Sequence, residues 1–115
     1  MTAMDNEWSE WRPFPDPRHR GVLMAPYGPG CYEVRHISNG QKVLFGMGGH
    51  VAARLSSLLP EPLGTGRRNN KGKRDHCLEH LADLEYRTLA CLIREDAEEA
   101  ERGLKARAAD YMFPT

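Results

Sequence analysis

The pair Asn39-Gly40 constrains this chain more than any other feature. An Asn-Gly step between two short runs is the strongest local signal for an antiparallel hairpin, because both central residues accept positive φ. It predicts a strand launched by the Pro29-Gly30 turn and a return strand over Lys42 to Phe45, which brings Tyr32 near Leu44 and Phe45. Gly46-Met47-Gly48-Gly49 is expected to end the return strand, since Gly is poor in strands and permissive of other conformations. His50 to Leu59 then reads as a helix, with Val51, Leu55, Leu58 and Leu59 on one face and Pro60 as its stop. Arg54 projects about 60° from Val51 at roughly 100° per residue. That places it at the edge of the apolar stripe, over the sheet surface near Tyr32.

A chain of 115 residues is expected to form one domain, hiding about two-thirds of its unfolded surface. Lys plus Arg and Asp plus Glu both number 16, so only the distribution of charge can point to a partner. Residues 1–25 hold Pro13, Pro15 and Pro17 with Trp8, Trp11 and Phe14, and read as an extended arm ahead of a domain over 26–115. Its tryptophans are expected to dock on the domain or to join a second copy as a homodimer, with a mobile tail as the alternative. Gly21 to Ala25 is a candidate edge strand. No apolar run approaches a membrane span, and residues 1–11 are too acidic and polar for a signal peptide. Cys31, Cys77 and Cys91 form no C-x-x-C pair and read as core residues of a cytoplasmic, reducing environment.

Pro60 to Arg74 reads as a loop. Between Arg67 and Arg74 it carries Arg67, Arg68, Lys71, Lys73 and Arg74 and no acid, which makes either a solvated loop or a contact for nucleic-acid phosphates. Asp75 is expected to cap a short helix running to Leu84. His76 and His80 stand at i and i+4, a spacing that can hold a metal, but no third ligand is evident beyond Cys77, which points elsewhere. The pair therefore reads as a solvated face. Glu85 to Ile93 reads as a strand buried on both sides toward its end. A last helix is expected to start at Asp96, with Glu99 completing a capping box and Ala97, Ala100, Leu104 and Ala108 facing inward. Glu101 borders that stripe and needs a cation, several donors or a metal; Lys105, four residues on, is the plain partner.

The ordered set Gly30-Cys31-Tyr32, Leu44-Phe45-Gly46, Arg54 and Glu101, with Leu104 three after the glutamate, resembles the GIY-YIG nuclease family. The resemblance spans Pro26 to Phe113. It implies an α/β (α+β) fold with a central three-stranded antiparallel sheet flanked by helices. It also implies a metal-dependent DNA endonuclease, of the kind used in repair, recombination or mobile elements, that takes one divalent ion, Mg2+ or Mn2+. Carried over by position, Glu101 would hold the metal, Arg54 would steady the scissile phosphate, and Tyr32 would position or deprotonate the attacking water. The basic residues Arg67 to Arg74 would clamp the DNA backbone. The second motif's tyrosine is Leu44 here, and the Ser or Thr common after its glycine is Gly48; His50 and Tyr86 are the candidates to replace the missing hydroxyl. The alternatives are an inactive nucleic-acid-binding module of the same fold, or a protein–protein interaction domain anchored by Trp8 and Trp11.

Overall fold

A computed structural model describes residues 8–15, 23–58 and 71–113. Four strands are described, β1 (Arg12–Pro13), β2 (Gly30–His36), β3 (Lys42–Gly48) and β4 (Leu84–Ala90), with helices α1 (Val51–Ser56), α2 (Lys71–Glu79) and α3 (Arg94–Lys105). The sheet is antiparallel in the order β1-β4-β2-β3, so the mixed α/β class expected from the sequence is observed, with the arm adding a fourth strand.

The hairpin forms, but its turn is wider than two residues. His36 N–H donates to Gln41 O, Gly40 N–H donates back to His36 O, and Gly40 takes φ 71°. A register shift between Val34 and Arg35 lets Val43 and Leu44 both turn inward. β3 also runs farther than expected: Met47 pairs with Cys31 and Gly48 with Gly30. The glycines of this stretch do not break the strand; they make room. A Cβ on Gly46 would collide with the Tyr32 ring, and one on Gly48 would come within 2.7 Å of Arg54 Cγ. Gly30 meets the Leu89 carbonyl in the same way.

Other boundaries move as well. α1 is only six residues long: His50 Nδ1 accepts the Ala53 amide at its start, and Ser56 and Ser57 hydroxyls bond back to Ala53 and Arg54 carbonyls at its end. α2 begins at Lys71, four residues before the expected cap, so Asp75 sits inside the helix and a 3-10 turn, Leu81–Asp83, leads into β4. β4 stops at Ala90, leaving Leu92 and Ile93 exposed. α3 starts at Arg94 with no side-chain cap; Glu95 and Asp96 in its first turn meet the positive end of the helix dipole instead.

The arm is part of the sheet. Arg12 and Pro13 pair with Tyr86 and Glu85, Ser9 N–H donates to Thr88 O, and Phe14 is buried in the main core. The edge strand therefore comes from Arg12–Pro13, while residues 23–25 stand outside any strand. At the opposite edge Met112 and Phe113 amides donate to Lys42 and Val43 carbonyls. The short arm strand thus pairs with the open side of β4, and the C-terminal segment pairs with the start of β3, which shortens the exposed edges.

Candidate functional site

Residues of a strand alternate between the two sides of a sheet, so β2 decides which candidates meet. Tyr32 and Val34 enter the core beneath α1 and α2, together with Leu44, Val51, Leu55, Leu58, Leu84 and Tyr86. Cys31 enters the smaller cluster beneath α3, with Leu89 and Ala97; its thiol lies 3.3 Å from the Ala97 carbonyl. Burial, then Cys91, Glu101 and Glu33, pushes that thiol up to about 12, so it is an inert core group.

Tyr32 and Arg54 share the α1 side. Tyr32 is fully buried with its ring over Gly46, and the aliphatic stem of the exposed Arg54 lies over Gly48. Those two glycines are same-face neighbours about 7 Å apart along the strand. Glu101 belongs to α3 and to the other side. Its half-buried carboxylate pairs with Lys105 Nζ at 3.6 Å, the i, i+4 partner. The structure therefore brings Tyr32 and Arg54 together and sets Glu101 apart, with the sheet between.

Of the two auxiliary candidates, His50 caps α1 and stacks near Tyr27, with ring centroids 5.4 Å apart. Tyr86 is buried on the Tyr32 side, and its hydroxyl accepts the Met24 amide at 2.7 Å. Within the basic run, Arg67 and Arg68 lie outside the described residues. Lys73 is buried, and Arg74 Nη1 donates to the Ser57 carbonyl at 2.6 Å. That bond ties the start of α2 to the end of α1, one helical turn from Arg54.

The fit of Mg2+ to Glu101 can be tested on this geometry. Mg2+ takes oxygen ligands in a near-octahedral shell, commonly one or two carboxylates with waters. Glu101 already faces an ammonium, and among the described residues no three His, Cys, Asp or Glu side chains are arranged around an ion. Glu101 does not fit as the centre of an assembled ion site.

Two clusters escaped the sequence reading. On the α3 side the fully buried Glu33 receives Arg87 at 2.5 Å, the Tyr111 hydroxyl, and Lys42 at 3.4 Å. Burial raises its carboxyl, but the Tyr111 and Arg87 hydrogen bonds outweigh that and hold it below the ordinary glutamate range. The Trp8 and Trp11 rings lie over Arg87, and Trp11 lies 3.9 Å from Arg35. Cross-strand pairing of Glu33 with Arg87 followed from strand register, which no local pattern reveals. The second cluster corrects the solvated-face reading for His76, while His80 is exposed as expected: His36, at the end of β2, places Nε2 3.0 Å from His76 Nε2. Its only sequence signal was an inward position on β2, in phase with Tyr32 and Val34.

No family model, no curated protein and no solved structure matches this chain. Among the described residues no helix is long and apolar enough to cross a membrane.

Proposed function

We propose that this chain is a nucleic-acid-binding module on a GIY-YIG-like frame, holding DNA by its backbone without metal-dependent cleavage. The observation that carries the reading is the Arg74 to Ser57 bond, which sets Arg74, the last member of the basic run, one helical turn along α1 from the exposed Arg54. Clustered Arg and Lys gain affinity for phosphates by counterion release, and Arg adds a planar donor fork. Against cleavage stand the burial of Tyr32, the absence of a second-motif hydroxyl at Leu44, and the placement of Glu101 across the sheet beside Lys105. The endonuclease reading keeps one supporting observation, the adjacency of Tyr32 and Arg54 over Gly46 and Gly48. The interaction-domain reading loses its anchors to the chain itself, since Trp8 and Trp11 are engaged with Arg87 and Arg35. Cys31, Cys77 and Cys91 form no disulfide among the described residues, which suits a reducing cytoplasm.

The test is anisotropy of labelled duplex and forked DNA over a salt series, run beside a cleavage assay with Mg2+ and Mn2+. Expected are salt-sensitive binding, a slope of log affinity against log salt that flattens by about 1 for each basic side chain removed from a phosphate, and no cutting. Arg54→Gln and the double variant Arg67→Gln with Arg68→Gln are the variants that should flatten it. Binding indifferent to salt and to these substitutions overturns the proposal. Cutting that disappears in Glu101→Ala would establish the endonuclease instead.

A further inference from the structure

Three imidazoles from separate parts of the chain meet where β2 ends. His36 terminates β2, His76 lies in the last turn of α2, and His80 follows that helix directly. The His36 and His76 ring centroids are 5.2 Å apart, His36 and His80 5.3 Å, and His76 and His80 4.4 Å. Imidazoles bound through Nε2 to one tetrahedral ion, with bonds near 2.0–2.1 Å, hold their centroids about 5 Å apart and their nitrogens about 3.3 Å apart. His36 and His76 already oppose Nε2 atoms at 3.0 Å, within a few tenths of an ångström of that spacing.

The backing of His36 is what a ligand needs. Its Nδ1 lies 2.8 Å from Asp83 Oδ2, and Asp83 is itself held by the Ser38 amide and hydroxyl. A carboxylate only accepts, so Nδ1 carries the proton and Nε2 presents its lone pair toward His76. A carboxylate behind a ligating imidazole fixes its tautomer and orientation and raises its basicity. In the metal-free cluster one proton lies between the two Nε2 atoms; an ion entering there displaces it to the His76 Nδ1 or to solvent. His36 is buried, the Phe113 ring closes the far side of His76, and His80 remains exposed. The cluster is thus walled on one side and open on the other.

We propose that His36, His76 and His80 bind one zinc-like divalent transition ion, with Asp83 as the positioning carboxylate and water in the fourth place. In this structure the three rings do not surround an ion position, and His80 Nε2 lies 3.9 Å from Glu79 Oε2; binding requires the exposed His80 side chain to leave Glu79 and turn inward. Imidazole nitrogen selects zinc, cobalt, nickel or copper over magnesium, so this site is chemically distinct from any ion at Glu101. Bound there, the ion would staple the end of β2 to the end of α2.

The full-length protein, stripped with chelator, is titrated with Co2+ and then Zn2+. One Co2+ per chain is expected, with the visible bands of nitrogen and oxygen ligation and a melting temperature that rises with metal concentration. His80→Ala, at an exposed position, should keep the fold and weaken binding at least about tenfold; Asp83→Asn should weaken it about 10- to 100-fold. Ring nitrogen spectra of the unmodified chain supply a readout free of folding effects: three of the five histidines should shift on adding Zn2+. The absence of binding and of any melting shift overturns the proposal. So do unchanged affinity in both variants, fewer than two histidine shifts, or a thiolate-to-cobalt charge-transfer band.

Discussion

The two sides of the β2–β3–β4 sheet are built from alternate residues of the same strands and solve different problems. The α1 and α2 side is apolar: Tyr32, Val34, Leu44, Leu55, Leu58, Leu84 and Tyr86 fill it. The α3 side buries the small cluster Cys31, Leu89 and Ala97 and the ring pair Phe45 and Tyr111, and sets Glu33, Arg87, Arg35, Glu85 and Lys42 among them. Two tryptophans from the arm roof the arginines of that ionic side. One side is held mainly by shape, with the His36, His76 and His80 cluster as the titratable group at its end; the other is held by charge, which pH and salt can weaken. The candidate residues divide along this boundary. Tyr32 belongs to the packed side and Glu101 to the charged one.

The largest expected effect breaks the packed side. Tyr32→Ala empties the space over Gly46 and should cost about 3–5 kcal/mol in denaturant unfolding, with no change in the pH dependence of stability. A loss under about 1 kcal/mol would mean that Tyr32 is not a core residue and would reopen its use on a substrate.

The charged side should answer with a smaller loss and a pH signature. Glu33→Gln leaves Arg87 and Lys42, both still in contact with solvent, without their anion and should cost about 1–3 kcal/mol at neutral pH. Because the folded state holds the Glu33 carboxyl below its ordinary value, the unfolded chain binds the proton more tightly. The contribution is therefore present above the ordinary glutamate range and lost as pH falls through the depressed folded value. Melting followed from neutral to acid pH should show the wild type losing its advantage over Glu33→Gln in that window. Parallel curves would assign the pH dependence to other carboxylates.

The smallest effect sharpens the comparison. Glu101→Gln removes an i, i+4 pair whose lysine is largely exposed, and should shift stability by less than about 0.5 kcal/mol in the same measurement. A loss of about 2 kcal/mol or more would show a stronger partner for Glu101 than Lys105.

Much of the frame was legible in the chain. The Asn39-Gly40 turn, the alternation of β2, the short helix after Gly49 and the inward stripe of Ala97, Ala100 and Leu104 are local patterns, and each produced its element. Boundaries failed where tertiary contacts outweighed local preference. Gly46 and Gly48 stay in β3 because the Tyr32 ring and the Arg54 stem need the space that their missing side chains leave. α2 begins within a stretch that composition marks as loop, and Arg74 docks it on Ser57.

The sequence by itself determined the inward stripes of α1 and α3, since helical periodicity is a property of the chain's own geometry. It could not determine which side of the sheet each helix covers. That choice belongs to packing between elements far apart in the chain, and it put Glu101 opposite Tyr32 and Arg54. The same packing carried His36 across 40 residues to His76, turning an i, i+4 pair into a three-histidine cluster that no local spacing announces.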